Sequence, residues 1–180
     1  MNDYRIFAGA FLEGELAERV QTIRQKYDPV TARITPPHVT LAGTYWRSGP
    51  PTPENEAEAV RRLEILPGIL LPYDLLLKGV RTFPGERPVV YLSVEINKGL
   101  IEARNLLLGM FGPDKHKDFR PHLTLAMRLP WEGAWQMVND LQASEWNTQL
   151  HKAPIREVRL MQRGPRDKAW RCIYRLNLEA

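Results

Sequence analysis

Two segments of this chain carry residues whose types and spacing can do chemistry: Pro37-His38-Val39-Thr40-Leu41-Ala42 and Pro121-His122-Leu123-Thr124-Leu125-Ala126. Both read P-H-x-T-L-A, and the histidines lie 122 − 38 = 84 positions apart. For independent draws from this composition a given histidine would carry those four neighbours roughly once in 20,000 to 30,000 cases, so the match marks an internal duplication. Two imidazoles, each with a hydroxyl beside it, suit in-line displacement at phosphorus. A neutral imidazole takes a proton from the attacking hydroxyl or water while a protonated one gives a proton to the leaving oxygen. The ordinary histidine pKa of about 6.5 keeps both forms accessible near neutrality. The threonine hydroxyls can donate to the non-bridging oxygens, where charge builds in the transition state. Such chemistry calls for no metal and no cofactor.

The spacing makes sense on strands, where residues i and i+2 project from the same face. His38 then stands beside Thr40 and His122 beside Thr124, while Val39, Leu41, Leu123 and Leu125 turn to the opposite face and anchor the motifs under helices. The competing reading makes these four polar residues core groups satisfied by one another, with the repeat a relic of duplication. Keeping two such pairs buried without a use is costly, on the order of 1–3 kcal/mol per unpaired group.

The elements around the motifs repeat as well. Tyr4 to Phe11 reads as a strand, Glu13 to Tyr27 as a helix ended by Asp28-Pro29, and His38 to Tyr45 as a strand. Ser48 to Pro53 is loop, Glu54 to Leu66 helix, and Ile69 to Thr82 one long strand or two joined near Pro72. The order then begins again: strand Val89 to Ile96, helix Leu100 to Phe111, polar loop Gly112 to Arg120, strand His122 to Leu129, helix Trp131 to Trp146. A closing hairpin pairs Ile155 to Arg163 with Ala169 to Leu178 around Gly164-Pro165. Two βαβαβ units follow, about residues 4–82 and 89–178, within a single bilobal domain over 1–180. If the lobes are related by a two-fold, the histidine pairs face each other across a shared central cleft.

In bulk terms, 180 residues suffice for one domain with a substantial core. The 25 Lys and Arg against 21 Asp and Glu leave +4, which suits a phosphate-bearing partner without requiring one. A single cysteine, Cys172, excludes an internal disulfide and reads as a buried apolar residue in a reducing compartment. No window approaches the ~20 apolar residues of a membrane span and the first residues lack a signal-peptide pattern. The expectation is a soluble cytoplasmic protein, monomeric and without membrane contact.

The paired motifs, the duplicated lobes and the stretch Lys78-Gly79-Val80-Arg81-Thr82-Phe83-Pro84 resemble the two-histidine phosphoesterase superfamily, the LigT-like or 2′-5′ RNA ligase group. The resemblance covers nearly the whole chain. It implies an α+β fold of two pseudo-symmetric lobes with antiparallel sheets lining the cleft. It also implies a metal-independent cyclic phosphodiesterase acting on 2′,3′-cyclic phosphates of RNA ends or small cyclic nucleotides. By resemblance His38 and His122 take the catalytic places and Thr40 and Thr124 the phosphate-binding ones. Two alternatives stand beside this: a module that binds an RNA or nucleotide phosphate without turning it over, and 2′-5′ RNA end joining.

Other residues compete for attention. Arg163, Arg33 and Arg120 are candidates to hold a substrate phosphate. The rest of the basic tail, Arg156, Arg159, Arg166, Lys168, Arg171 and Arg175, reads as charge on the outer positions of a hairpin. His116 and His151 read as surface residues, and no His-x3-His or Cys-x2-Cys spacing offers a zinc site. Tyr45, Trp46, Phe83 and Trp131 lie near motif ends, where an aromatic can stack on a base, but most of them read as core or lid packing. The run Leu75-Leu76-Leu77 reads as a strand covered on both faces.

Overall fold

The computed structural model describes residues 4–45, 52–114 and 118–179, with the side chains at 44 and 45 outside that description. Its elements run β1 (Arg5–Phe11), α1 (Gly14–Tyr27), α2 (Pro29–Ile34), β2 (His38–Tyr45), α3 (Pro53–Glu64), β3 (Tyr73–Phe83) and β4 (Val89–Val94). They continue α4 (Lys98–Phe111), β5 (His122–Ala126), α5 (Trp131–Gln142), α6 (Glu145–Thr148), β6 (His151–Ile155), β7 (Glu157–Arg163) and β8 (Arg171–Asn177). Helix starts follow local chemistry. Asp28, Thr52 and Asn97 accept the orphan N–H of Thr31, Asn55 and Leu100 at the heads of α2, α3 and α4. Gly112, at φ +88°, ends α4.

All strand pairs are antiparallel, in one curled eight-stranded sheet ordered β6-β3-β4-β5-β2-β1-β7-β8. The α+β class and the two pseudo-symmetric antiparallel halves are those the sequence suggests, but the halves belong to one continuous sheet. The β2–β5 pair joins them. The sheet halves also differ from the sequence repeats: β3, at the end of the first repeat, pairs with β4 of the second. Reciprocally, β7 of the second repeat pairs with β1 of the first.

Two elements escaped the sequence reading. Asp28-Pro29 ends α1 and at once starts α2, since Asp28 caps the new helix and Pro29 occupies its first turn. β6 contains Pro154, which argues against a strand, yet it is an edge strand, where proline is tolerated. The predicted helix to Trp146 divides into α5 and α6, and β3 is one strand beginning after Pro72.

Helices α1, α4 and α5 pack against the sheet, α4 on β2 and α1 on β5. Val39, Leu41, Leu123 and Leu125 are fully buried on that side, within the main core. Leu75 and Leu77 join them, whereas Leu76 is only half-buried. Among the described residues no helix is long and apolar enough to cross a membrane.

Candidate functional site

The two motifs meet on neighbouring strands. In the antiparallel β2–β5 pair Val39 faces Leu123, the middle residue of each H-x-T triplet. That register sets position 38 opposite 124 and 40 opposite 122, with all four side chains on the face away from the helices. The expectation that the pairs face each other across a gap is therefore corrected: they lie side by side on the floor of the cleft. The histidines occupy one diagonal of a four-residue patch and the threonines the other. Diagonal neighbours on such a pair sit roughly 7–8 Å apart at the backbone, enough for a tetrahedral group between the rings.

Both rings are held alike. His38 Nδ1 lies 2.9 Å from the Pro36 carbonyl and His122 Nδ1 2.8 Å from the Arg120 carbonyl, in each case two residues upstream. A carbonyl only accepts, so each Nδ1 carries a proton and donates it, which makes Nε2 the basic nitrogen of a neutral ring.

The surroundings differ. Phe7 and Phe11 stack on His38, each with centroids 5.0 Å away at 27° and 22°. Their rings come from the β1 face adjoining His38, where Phe11 is the register partner of His38 and Gly9 that of Thr40. Gly9 is needed there: a Cβ would lie 2.9 Å from the Phe7 ring and 3.3 Å from that of Phe11. Burial lowers the His38 pKa to about 4. The Pro36 carbonyl opposes the shift, and the charges of Arg24 and His122 add to it. His122 instead meets Phe83 and Tyr91 edge-on, at 4.9 and 5.3 Å, and its register partner on β4 is Ser93.

Beneath the floor, Arg24 of α1 is almost fully buried, donating to Gln21 at 2.8 Å and to the Thr31 carbonyl at 3.3 Å. Burial pulls its pKa down to about 10, against the pull of Asp28. Asp28 binds both halves of the molecule. Besides capping α2 it accepts the Met127 and Arg128 N–H groups, each at 3.0 Å, just past β5. Burial raises its pKa, but these bonds outweigh burial and hold the carboxyl below its ordinary value.

A cavity of about 600 Å³ opens over Thr40, His122 and Thr124, with Phe83, Phe119 and Met127 in its walls, while His38 lies outside its lining. That volume lies within the range of small-ligand sites. In its lining the buried Arg104 donates to the Leu41 carbonyl at 2.7 Å and pairs with Asp114 at 3.2 Å, with its Cζ 4.0 Å from the Phe119 ring. Asp114 packs so closely on Gly43 that a Cβ there would sit 2.4 Å from its Oδ1.

Of the arginine candidates, Arg120 lines this cavity. Arg33 does not: it borders a separate groove with Glu18, Gln21 and Pro36. Arg163 lies on β7, in register with Arg5. His151 is corrected from surface to buried, stacked on Trp146 at 4.7 Å with Nε2 3.2 Å from the Glu145 carbonyl, as the first residue of β6. Cys172 is half-buried against the Phe7, Phe11 and Met161 cluster. Trp131 is exposed at the head of α5, and Phe83 is the only one of the four aromatic candidates seen lining the cavity among the described residues. Trp46, His116 and the Tyr45 side chain lie outside the described residues. No group of three or more His, Cys, Asp or Glu side chains among the described residues could hold a metal ion.

The sequence reading passed over Phe7, Phe11, Arg24 and Asp28. Strand alternation puts Phe7 and Phe11 on one face, but nothing in the pattern says that this face is the cleft.

Known proteins share this architecture. The fold is similar to E. coli LigT complexed with 3′-AMP, at 20% identity over 100% of both chains with a TM-score of 0.63. It is similar to TT0787 of Thermus thermophilus, at 20% identity over 97% of each chain with a TM-score of 0.64. Kluyveromyces marxianus Usb1 shares it at 12% identity, over 95% of this chain and 97% of that one, with a TM-score of 0.50. No curated protein matches the chain. The family model for the 2′-5′ RNA ligase superfamily matches residues 12–167. The chain belongs to that superfamily, the two-histidine phosphoesterases.

Proposed function

We propose that this protein is a phosphodiesterase that opens 2′,3′-cyclic phosphates of RNA ends or nucleotides, with His38 as general base and His122 as general acid. The observation that carries the reading is the β2–β5 register, which interleaves the two H-x-T triplets on one face. A phosphate over the patch has an imidazole at each of two opposite corners, as in-line displacement demands, and a threonine hydroxyl at each of the other two. Water gives a proton to His38 Nε2 as its oxygen attacks phosphorus. The bond from phosphorus to one ribose oxygen breaks, and that oxygen takes the proton from His122 Nε2. Thr40 and Thr124 donate to the non-bridging oxygens throughout. No step calls for a metal or a cofactor.

The division of labour follows from the environments. A ring whose pKa is pulled down to about 4 is neutral at pH 7 and fit to accept a proton, which leaves the donor's role to His122. The 3′-AMP in the E. coli LigT structure is a nucleotide of the kind proposed as ligand here. The test is kcat/KM on a 2′,3′-cyclic nucleotide for His38→Ala and His122→Ala. Each is expected to lose at least about 10²-fold, and retention of more than about one per cent of the rate by either would sink the assignment. Product analysis of the wild-type reaction separates hydrolysis from binding alone and from end joining.

A further inference from the structure

The cleft face of the β8-β7-β1-β2 half carries guanidinium groups that the histidine chemistry leaves unused. Arg5 of β1 and Arg163 of β7 are direct register partners, and like charges so placed destabilise a strand pair. Arg5 shares its strand face with Phe7 and Phe11, and its Cζ lies 5.4 Å from the Trp170 ring. Its Nε is buried without a hydrogen-bond partner among the described residues. Arg163 Nε donates to the backbone carbonyl of Asp167 at 3.2 Å, while the Asp167 carboxylate is engaged by the Gly164 N–H and by Gln162. Burial first, then the charges of Arg5 and Arg128, lower the Arg163 pKa against the opposing pull of the Asp167 charge.

The contrast with nearby arginines is informative. Arg159 pairs with Glu13 and Glu157, Arg171 with Glu56, and Arg175 with Glu157. Among the described residues neither Arg5 nor Arg163 has such an ion pair. The Asp167 charge acts on Arg163 without forming an ion pair, and opposed guanidinium groups so placed favour a bound anion. The site continues the wall that holds His38: the His38 ring is 5.0 Å from Phe7, Phe7 is 4.7 Å from Trp170, and Trp170 is 5.4 Å from Arg5.

We propose that Arg5 and Arg163 form a second phosphate subsite, holding a phosphate of the substrate other than the one under attack. The inference rests on the reading of the histidine patch as a phosphoesterase site and narrows its substrate class. The preferred substrate carries at least two phosphates, with Trp170 offering a stacking surface between them. The second phosphate belongs either to the 5′ position of a single nucleotide or to the next phosphodiester of an RNA end.

Titration calorimetry on the full chain tests this without any turnover. The ligands are a nucleoside 3′-phosphate, the matching 3′,5′-bisphosphate, and a dinucleotide ending in a 3′-phosphate. The proteins are wild type, Arg5→Gln and Arg163→Gln. In the wild type at least one two-phosphate ligand is expected to bind about tenfold more tightly than the monophosphate. Which one does so identifies the source of the second phosphate. In either variant the advantage is expected to fall below about threefold, and Arg163→Lys, which keeps the charge but not the fork, should fall between. Melting temperatures of the glutamine variants should hold or rise, since a like-charge opposition is relieved. An absent advantage in the wild type, an advantage that survives both substitutions, or loss of fold in both variants each overturns the subsite. A wild type that binds as expected but leaves cyclic phosphates intact refutes the hydrolase reading alone.

Discussion

His38 and His122 make the same backbone hydrogen bond in unlike company. The Phe7 and Phe11 rings cover part of the half-buried His38, and burial lowers its pKa to about 4. A base must be neutral to act, so the acid limb of the kcat/KM profile is expected near pH 4 and not near 6.5. Phe11→Ala readmits water to the ring, and the limb should move upward toward 6.5. The pH–rate profile, together with NMR titration of the His38 ring, measures both. The same shift has a stability consequence. The unfolded chain protonates this residue near 6.5 and the native state near 4, so the native state loses stability as pH falls through that window, with no further loss below it. At this scale the sequence was most legible where it repeated: His38, Thr40, His122 and Thr124 stand together on one face. It was least legible where a role depends on a neighbouring strand, as for Phe7 and Phe11. Arg33 lies five residues from His38 along the chain yet borders another groove.

Among the elements, the corner between α1 and α2 does more than join helices. Asp28 takes two N–H groups from just past β5, tying the strand of one motif to the helix that precedes the other. Asp28→Ala leaves these buried donors and the α2 cap unpaired, and a loss of about 3 kcal/mol is expected in urea unfolding. Because its carboxyl is held below the ordinary value, the contribution of Asp28 is present above the usual carboxylate range and fades on acidification through it. On the other wall, Gly43→Ala drives a methyl against Asp114 and disturbs the Arg104 pair. About 1–3 kcal/mol of stability should be lost, with a raised KM if Phe119 shifts with Arg104. The strands and helices that bear the motifs were readable from their periodicity. α2 and β6 were not, because Asp-Pro both ends and begins helices, and because Pro154 is harmless only on an edge that the sequence does not announce.

The whole molecule is woven. Each repeat sends a late strand to pair with the other repeat's first strand, β3 with β4 and β7 with β1. Neither sequence half therefore contains a complete half of the sheet. Chains cut within 84–88 and expressed singly are expected to show no cooperative thermal transition by circular dichroism, whereas the two fragments mixed should regain one. A folded, cooperative single fragment would contradict the exchange. Periodicity suggests two βαβαβ units, but the partner of a strand is a long-range choice invisible to any local pattern.

The Val39–Leu123 register also gives the floor an approximate two-fold axis. On the proposed function, a floor of that symmetry would admit a cyclic phosphate in either of two poses that exchange the attacking and departing sides. The tie is broken by the walls, where Phe11 stands beside one imidazole and Ser93 beside the other. Which ribose oxygen keeps the phosphate would then depend on the unlike side chains packed around the two imidazoles, and not on the proton carriers themselves.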